Sequence, residues 1–315
     1  MAHETMDIDL VYLWVDGNDP EWLAKHNACV GKMEAKSATD CKGRYADNDE
    51  LKYSLRSIEK YAPWIHRIFI VTDNQTPAWL DTSDPKIRIV DHSEIMPAVS
   101  RPCFNATVIE HFICDIPGLA EHFLFANDDM FINRPVTPET FFAEDGLPII
   151  RFNRRPFRKF TLWYKEKVQG KKLSNYIQII RNAAELVERK YGKYYGGKTH
   201  HNIDAYLKSD CQHVERMFRK EIEPTLTNHV RSANDIQRNL FAYVALAEKR
   251  AHLHYVGQRT SFRLHIQNES HYAKLERYNP MLFCMNDSQY AGDADREREK
   301  AWLERRFPKK SRFEK

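Results

Sequence analysis

Phe123-Leu124-Phe125-Ala126-Asn127-Asp128-Asp129-Met130-Phe131 is the stretch that decides how this chain is read. Its first four residues are apolar without alternation, the pattern of a strand covered on both faces. Two adjacent carboxylates follow at once. In an open α/β sheet the ligand crevice lies outside the carboxyl ends of the strands. Asp128 and Asp129 are therefore placed to hold a hard divalent cation, which prefers oxygen ligands and often shares them with phosphates. An Asp-Asp pair after a strand is also an ordinary polar turn, so the rest of the chain has to decide.

Other segments repeat the pattern. Leu10-Val-Tyr-Leu-Trp-Val15 reads as a first buried strand, closed by the turn Asp16-Gly17-Asn18-Asp19-Pro20. Asp47 and Glu50 stand at capping-box spacing, and Leu51, Leu55 and Ile58 share one face of the helix they open, which Pro63 stops. Residues 68–72 and 87–90 read as further strands and 107–114 as a helix. Strands alternating with helices predict an α/β fold, Rossmann-like, with a mostly parallel sheet. After residue 150 the texture turns basic and aromatic. Helices are expected over 173–191, 201–218 and 235–250, and strands over 253–256, 260–266 and 281–285. The expected organisation is an α/β core over 1–150, a basic and mainly helical insertion over 151–250, strands returning to the core over 251–290, and a charged helical tail over 291–315.

The chain has 315 residues, enough for a sizeable core, and a net charge of +4. That charge is unevenly spread: residues 151–200 carry 14 Lys/Arg against 3 Asp/Glu, an excess of +11 that leaves −7 elsewhere. A segment so basic implies an anionic partner. The six cysteines are scattered without a Cys-x-x-Cys, which reads as reduced thiols in a cytoplasmic protein. Met1-Ala2-His3-Glu4-Thr5 has neither the basic start nor the apolar core of a signal peptide, and no apolar run approaches a membrane span. The tail, with Trp302, Phe307 and Phe313 among basic residues, could dock peripherally on anionic lipid at the inner membrane face. Gly-x-Gly-x-x-Gly, the P-loop and Gly-x-Ser-x-Gly are all missing, which disfavours dehydrogenases, P-loop NTPases and serine hydrolases.

Four patches remain as carriers of chemistry: Asp7 to Gly17, Arg44 to Trp64, Asn127-Asp128-Asp129, and His200-His201-Asn202-Ile203-Asp204 with His229-Val230-Arg231-Ser232. Spacing alone supports an α/β domain with a metal-phosphate site and goes no further.

In order along the chain, Asp9-Leu-Val-Tyr-Leu-Trp-Val-Asp-Gly17, Arg44-Tyr-Ala-Asp-Asn-Asp-Glu-Leu-Lys-Tyr-Ser-Leu-Arg-Ser57, Ala62-Pro-Trp64, Ile68-Phe-Ile-Val-Thr72 and Phe125-Ala-Asn-Asp-Asp-Met-Phe131 resemble the Stealth family of sugar-phosphate transferases. That family includes bacterial capsule-polymer hexose-1-phosphate transferases and the catalytic subunit of the Golgi N-acetylglucosamine-1-phosphotransferase. His201-Asn-Ile-Asp204 with Val230-Arg-Ser232, and Phe283-Cys-Met-Asn-Asp287, correspond to its third and fourth regions.

The resemblance implies a GT-A-like core, a UDP-sugar donor, and Mg²⁺ or Mn²⁺. It implies transfer of sugar with its phosphate to a saccharide or phosphosaccharide-polymer acceptor, releasing UMP, in capsule or surface polysaccharide synthesis. Carried onto this chain, the catalytic residues are His201, Arg231, Glu110 and Asp128, with His201 or Glu110 as base. The metal residues are Asp128, Asp129, Asn286 and Asp287. Donor contacts are Tyr12, Trp14, Val15, Asp16, Gly17, Arg44, Asp47, Arg56 and Asn127. Two rivals are weighed against this reading: an ordinary glycosyltransferase, which would release UDP, and a nucleic-acid-binding protein built on residues 151–200. The acidic remainder and the Asp-Asp site argue against the second, so no nucleic-acid partner is expected. Association with capsule machinery fits the first reading.

Overall fold

The computed structural model describes residues 6–31 and 40–315; the N-terminal pentapeptide examined for a leader lies outside them. In chain order the strands are β1 (Ile8–Leu13), β2 (Ile68–Thr72), β3 (Ile87–Asp91), β4 (His122–Asn127), β5 (Met130–Ile132), β6 (Ile149–Asn153), β7 (Lys198–Thr199), β8 (Asp204–Leu207), β9 (His252–Tyr255), β10 (Ser261–His265) and β11 (Leu282–Asn286). The α-helices are α1 (Pro20–Val30), α2 (Glu50–Tyr61), α3 (His92–Ile95), α4 (Ala106–Glu110), α5 (Arg158–Trp163), α6 (Asn175–Tyr191), α7 (Lys208–Met217), α8 (Arg219–Leu226), α9 (Asn239–Ala247), α10 (Glu269–Tyr278) and α11 (Asp293–Arg306).

The central sheet runs β3-β2-β1-β4-β8, parallel except for β8, which is antiparallel to β4. The uninterrupted apolar runs follow from its covering. Val11, Leu13, Phe69, Val71, Phe123 and Phe125 belong to one core with Val187 of α6, Val214 of α7 and Phe241 of α9. Leu10, Tyr12, Ile68, Ile70, Leu124 and Ala126 belong to a second with Leu51, Leu55 and Ile58 of α2. Alternate residues of each strand thus feed opposite cores, the period of two that a pleated strand imposes. Two smaller sheets flank this unit, β10-β11-β5 and β7-β6-β9.

Three local expectations change. Residues 204–207, read as the start of a helix, form β8 in the central sheet, because pairing with β4 overrides the helical pattern of the residues that follow. Helix α2 begins at Glu50 rather than Asp47: the Glu50 carboxylate accepts from the Asn48 backbone N–H (2.6 Å), closing the turn without Asp47 as cap. The C-terminal tail is folded inward. Trp302, Phe307 and Phe313 are all buried, so these rings do not face a lipid surface. No described helix is long and apolar enough to cross a membrane.

The same tail meets Arg56. Its Nε and Nη2 donate to both carboxylate oxygens of Glu314 at 2.7 Å, and Nη1 donates to the Phe307 carbonyl. The pair is buried (8% and 2% exposed), so removing one partner strands a charge. Glu314→Ala should cost about 3–5 kcal/mol in urea unfolding. A loss below about 1 kcal/mol, the scale of a surface pair, would show that the tail does not hold α2.

Candidate active site

The carboxyl ends of β1 and β4 open into a cleft of about 390 Å³. β1 delivers Trp14 and Val15; β4 delivers Asn127, Asp128 and Asp129. The segment before α2 brings Arg44 over the cleft, and Gly17 makes that approach possible. Its N–H donates to the Tyr45 carbonyl at 2.6 Å, and a Cβ at Gly17 would lie 2.5 Å from the Tyr45 Cβ and carbonyl oxygen. Gly43 does the same opposite β11, where a Cβ would lie 2.5 Å from the Asp287 carboxylate.

Glu110 ends α4, whose N-cap is Asn105: its side-chain oxygen accepts from the Thr107 N–H (3.1 Å). The amide of the same Asn105 donates to the Asp235 carboxylate (2.9 Å) and the Val230 carbonyl (3.2 Å). Asp235 also accepts from the Ser232 N–H and the Asn228 side chain. One asparagine thereby ties the helix carrying Glu110 to the loop carrying Arg231. Arg238 closes the floor. It donates to Glu110 (3.2 Å), Asp204 (2.7 Å) and the Tyr206 hydroxyl (2.5 Å), with its guanidinium over the Phe125 ring.

Carboxylates crowd one side of this cleft. Asp128, Asp129 and Glu50 in its lining, with Asp47 and Glu299 adjoining, all titrate above the usual range, because burial disfavours their charge and most of them face other carboxylates. Asp47 is pushed up to about 6. Asp129 Oδ1 is buried without a hydrogen-bond partner, while Oδ2 lies 3.1 Å from Cys284 Sγ and 4.0 Å from His201 Nε2. Oxygens packed this way fit a divalent cation, which would cancel their mutual repulsion. Cys284 is an unsuitable thiolate ligand here: burial and Asp129 drive its thiol far above its ordinary value, so it acts as a donor to the carboxylate. The ligand atoms that lie within 4.8 Å of one another are those of Asp129, His201 and Cys284, with Asp128 and Asn286 also lining the cleft.

Cations line the same cleft. Arg44, Arg231, Arg238 and Arg263 all line the cleft. Burial, then Arg231, lowers Arg44 to about 10, and Arg231 Nε is buried without a partner. Such apposed guanidiniums suit an anionic ligand. His201 lies near both kinds of charge. Burial, then Arg263, Arg238 and Lys198, lowers it to about 3, in place of the expected value near 6.5, so its imidazole is neutral at ordinary pH.

Of the residues named from the sequence, the cleft gathers Trp14, Val15, Arg44, Glu110, Asn127, Asp128, Asp129, His201, Arg231, Asn286 and Asp287. Tyr12, Asp16, Gly17, Asp47 and Arg56 are not among its lining residues. Tyr12 is a core residue whose hydroxyl bonds Ser54 (2.6 Å). The backbone N–H of Asp16 donates to the Gln75 side chain, its carboxylate accepts from the Asn18 N–H, and Gly17 supports Tyr45. Asp47 accepts from the Asp49 N–H, and Arg56 is spent on Glu314. Asp287 lines the cleft but its oxygens already accept from Arg296 (2.8 and 3.2 Å) and the Ser288 N–H (2.6 Å). Sequence reading missed Arg238, Arg263, Tyr176, Cys284 and Asn105. Only Asn105 left a signal, as an N-cap residue before Ala106-Thr107-Val108.

The carboxylate crowding sets a pH dependence. A carboxyl whose folded pKa lies above its unfolded value of about 4 holds its proton more tightly when folded, so stability falls as pH rises between the two. Without divalent cation the melting temperature should drop from pH 5 to pH 8, and Mg²⁺ or Mn²⁺ should raise it far more at pH 8. Equal cation effects at both pH values, read by calorimetry, would contradict a cation at these carboxylates.

Residues 6–34 match the family model for Stealth protein CR1, conserved region 1, and residues 44–150 that for Stealth protein CR2, conserved region 2. An exopolysaccharide phosphotransferase of Streptomyces coelicolor is 36% identical over 98% of this chain and 52% of its own length. The exopolysaccharide phosphotransferase CpsY of Mycobacterium tuberculosis is 35% identical over 98% and 58%. A capsular polysaccharide phosphotransferase of Actinobacillus pleuropneumoniae is 38% identical over 73% and 62%. The chain thus spans about half to three fifths of these relatives. Among solved structures, the galactosyltransferase LgtC with donor and acceptor sugar analogues superposes with a TM-score of 0.44 at 10% identity, over 96% of each chain. Both conserved regions occur in order, and similarity to the polysaccharide phosphotransferases extends over nearly the whole sequence: the chain carries conserved regions 1 and 2 of the Stealth family.

Proposed function

We propose that this chain transfers a hexose-1-phosphate, in the first instance an N-acetylhexosamine-1-phosphate, from a UDP-sugar to a sugar hydroxyl in capsule or exopolysaccharide synthesis. The acceptor oxygen bonds the sugar-bearing β-phosphorus, the bond to the bridging oxygen breaks, and UMP leaves. The observation that carries this reading is the meeting, around His201, of a crowded cluster of buried carboxyl groups with Arg44, Arg231, Arg238 and Arg263. Phosphoryl transfer depends mainly on positioning and charge stabilisation, and this is the apparatus it requires.

Asp128 and Asp129, with the Asn286 side-chain oxygen, would hold Mg²⁺ or Mn²⁺, which when bound offsets charge on the diphosphate. Arg231 and Arg44 face the anionic donor. Neutral His201 accepts the acceptor proton; burial and then Arg263, Arg238 and Lys198 depress its basicity, and an anionic donor offsets the part due to the three cations. Glu110 is the weaker candidate for base, since its hydrogen bond goes to Arg238 and its other oxygen is deeply buried. It is better suited to hold Arg238 in place. Trp14, Val15 and Asn127 line the donor side.

The test is nucleotide release with a panel of UDP-sugars and saccharide acceptors. Metal-dependent UMP supports the proposal; UDP would move the chain to glycosidic transfer.

A further inference from the structure

One helix turns its apolar face away from the protein. Phe157 just before α5, Phe160 and Trp163 within it, and Tyr164 and Val168 in the wider π-helical turn that extends it recur at intervals of three and four residues, the spacing of one helix face. All five are exposed, Phe157 at 82% and Phe160 at 61%, and the rings of Trp163 and Tyr164 stack on Phe160. Leu162 is the buried residue of this helix, and the Lys159–Glu188 and Glu166–Arg181 pairs fasten it to α6, so packing holds the rings outward. Cations surround them. Residues 154–172 carry eight Lys/Arg against one acidic residue, Glu166, which is spent on Arg181. Arg154, Arg155, Lys165, Lys167, Lys171 and Lys172 are exposed and, among the described residues, make no ion pair. None of these residues lines the cleft.

We infer that the outer face of α5 and its π turn is a docking surface for an anionic lipid bilayer, with the rings entering the headgroup region and the lysines and arginines meeting lipid phosphates around them. An apolar face left to water costs free energy, and a contiguous one marks a contact surface. Its composition selects the occupant. Trp, Tyr and Phe on one face with Lys and Arg at its edges is the pattern of a helix lying in a membrane interface. A protein interface is depleted of lysine at its centre, and a second copy would bring the same excess of positive charge against this one. The surface lies apart from the buried C-terminal aromatics, and it holds whichever donor bond the enzyme breaks.

The test is co-sedimentation of the full chain with phosphatidylcholine vesicles, with and without phosphatidylglycerol. The parent should bind the phosphatidylglycerol vesicles at least about tenfold tighter, and added salt should weaken that binding. Lys165→Ala/Lys167→Ala should weaken it about thirtyfold, the scale of two lysines beside an anionic leaflet. Phe160→Ser/Trp163→Ser should weaken it about tenfold or more through lost apolar burial. The replaced side chains are exposed, so both variants should melt with the parent. Lys309→Ala/Lys310→Ala, which removes two exposed charges of the C-terminal tail, should leave binding intact. Absence of binding by the parent, equal binding to both vesicles, insensitivity to either α5 variant, or loss in the tail control overturns the inference. So does a parent dimer that Phe160→Ser/Trp163→Ser makes monomeric while vesicle binding persists, an outcome that would make the face a contact between copies.

Discussion

Asp129→Ala should lower turnover by about 10³-fold or more, the equivalent of the several kcal/mol that a bound cation contributes to charge stabilisation. The argument runs through the carboxylate itself. Asp129 Oδ1 is buried without a partner and Oδ2 meets only the Cys284 thiol and the neighbouring His201 ring. A group this poorly satisfied is retained for something other than the fold. The variant should therefore show an uncommon combination: activity collapses, while melting temperature without divalent cation stays level or rises, since a source of repulsion is gone. The cation-induced increase in melting temperature at pH 8 should shrink with it. Activity within tenfold of the parent would contradict the metal assignment, whatever the stability.

His201→Ala carries the second large effect, about 10²- to 10⁴-fold in turnover, the usual contribution of a general base. Its electrostatics sharpen the test. Because burial and three nearby cations keep the imidazole neutral down to about pH 3, His201 should leave no acid limb near its ordinary value in kcat/KM of the cation-saturated enzyme. Added imidazole should restore part of the lost rate, since the vacated space faces the cleft. A loss below tenfold, or a limb near pH 6.5 that disappears in the variant, would remove His201 from the role of base.

Much of the core was legible because burial is two-sided. Leu10–Leu13, Ile68–Val71 and Phe123–Ala126 are apolar without interruption, and only a sheet covered by helices on both faces accepts such runs. The Asp-Asp pair was legible for the same reason, since the end of a central strand places it at the crevice. β8 was not, because four residues ahead of a helical pattern carry little periodic signal, and their strand character comes from β4, some eighty residues earlier. The burial of Trp302, Phe307 and Phe313 was hidden too. Spaced five and six residues apart among charges, they form no helical stripe, and what buries them is mainly the β10-β11-β5 sheet and α2.

Within the site, Arg238 shows why single residues resist reading. An arginine between Gln237 and Asn239 looks like surface, yet Glu110 of α4 and Asp204 and Tyr206 of β8 converge on it. Arg56 shows the reverse case. The family pattern suggested a donor contact, whereas its partner stands 258 residues away at the C-terminus. Sequence order conveys neither kind of meeting.

The central claim is that the sugar leaves with its phosphate. A UDP-sugar carrying ³²P only at the β-phosphate, incubated with acceptor and Mg²⁺, decides it. The account predicts label in the saccharide product and unlabelled UMP. Label retained in released UDP would contradict it and assign the cleft to glycosidic transfer.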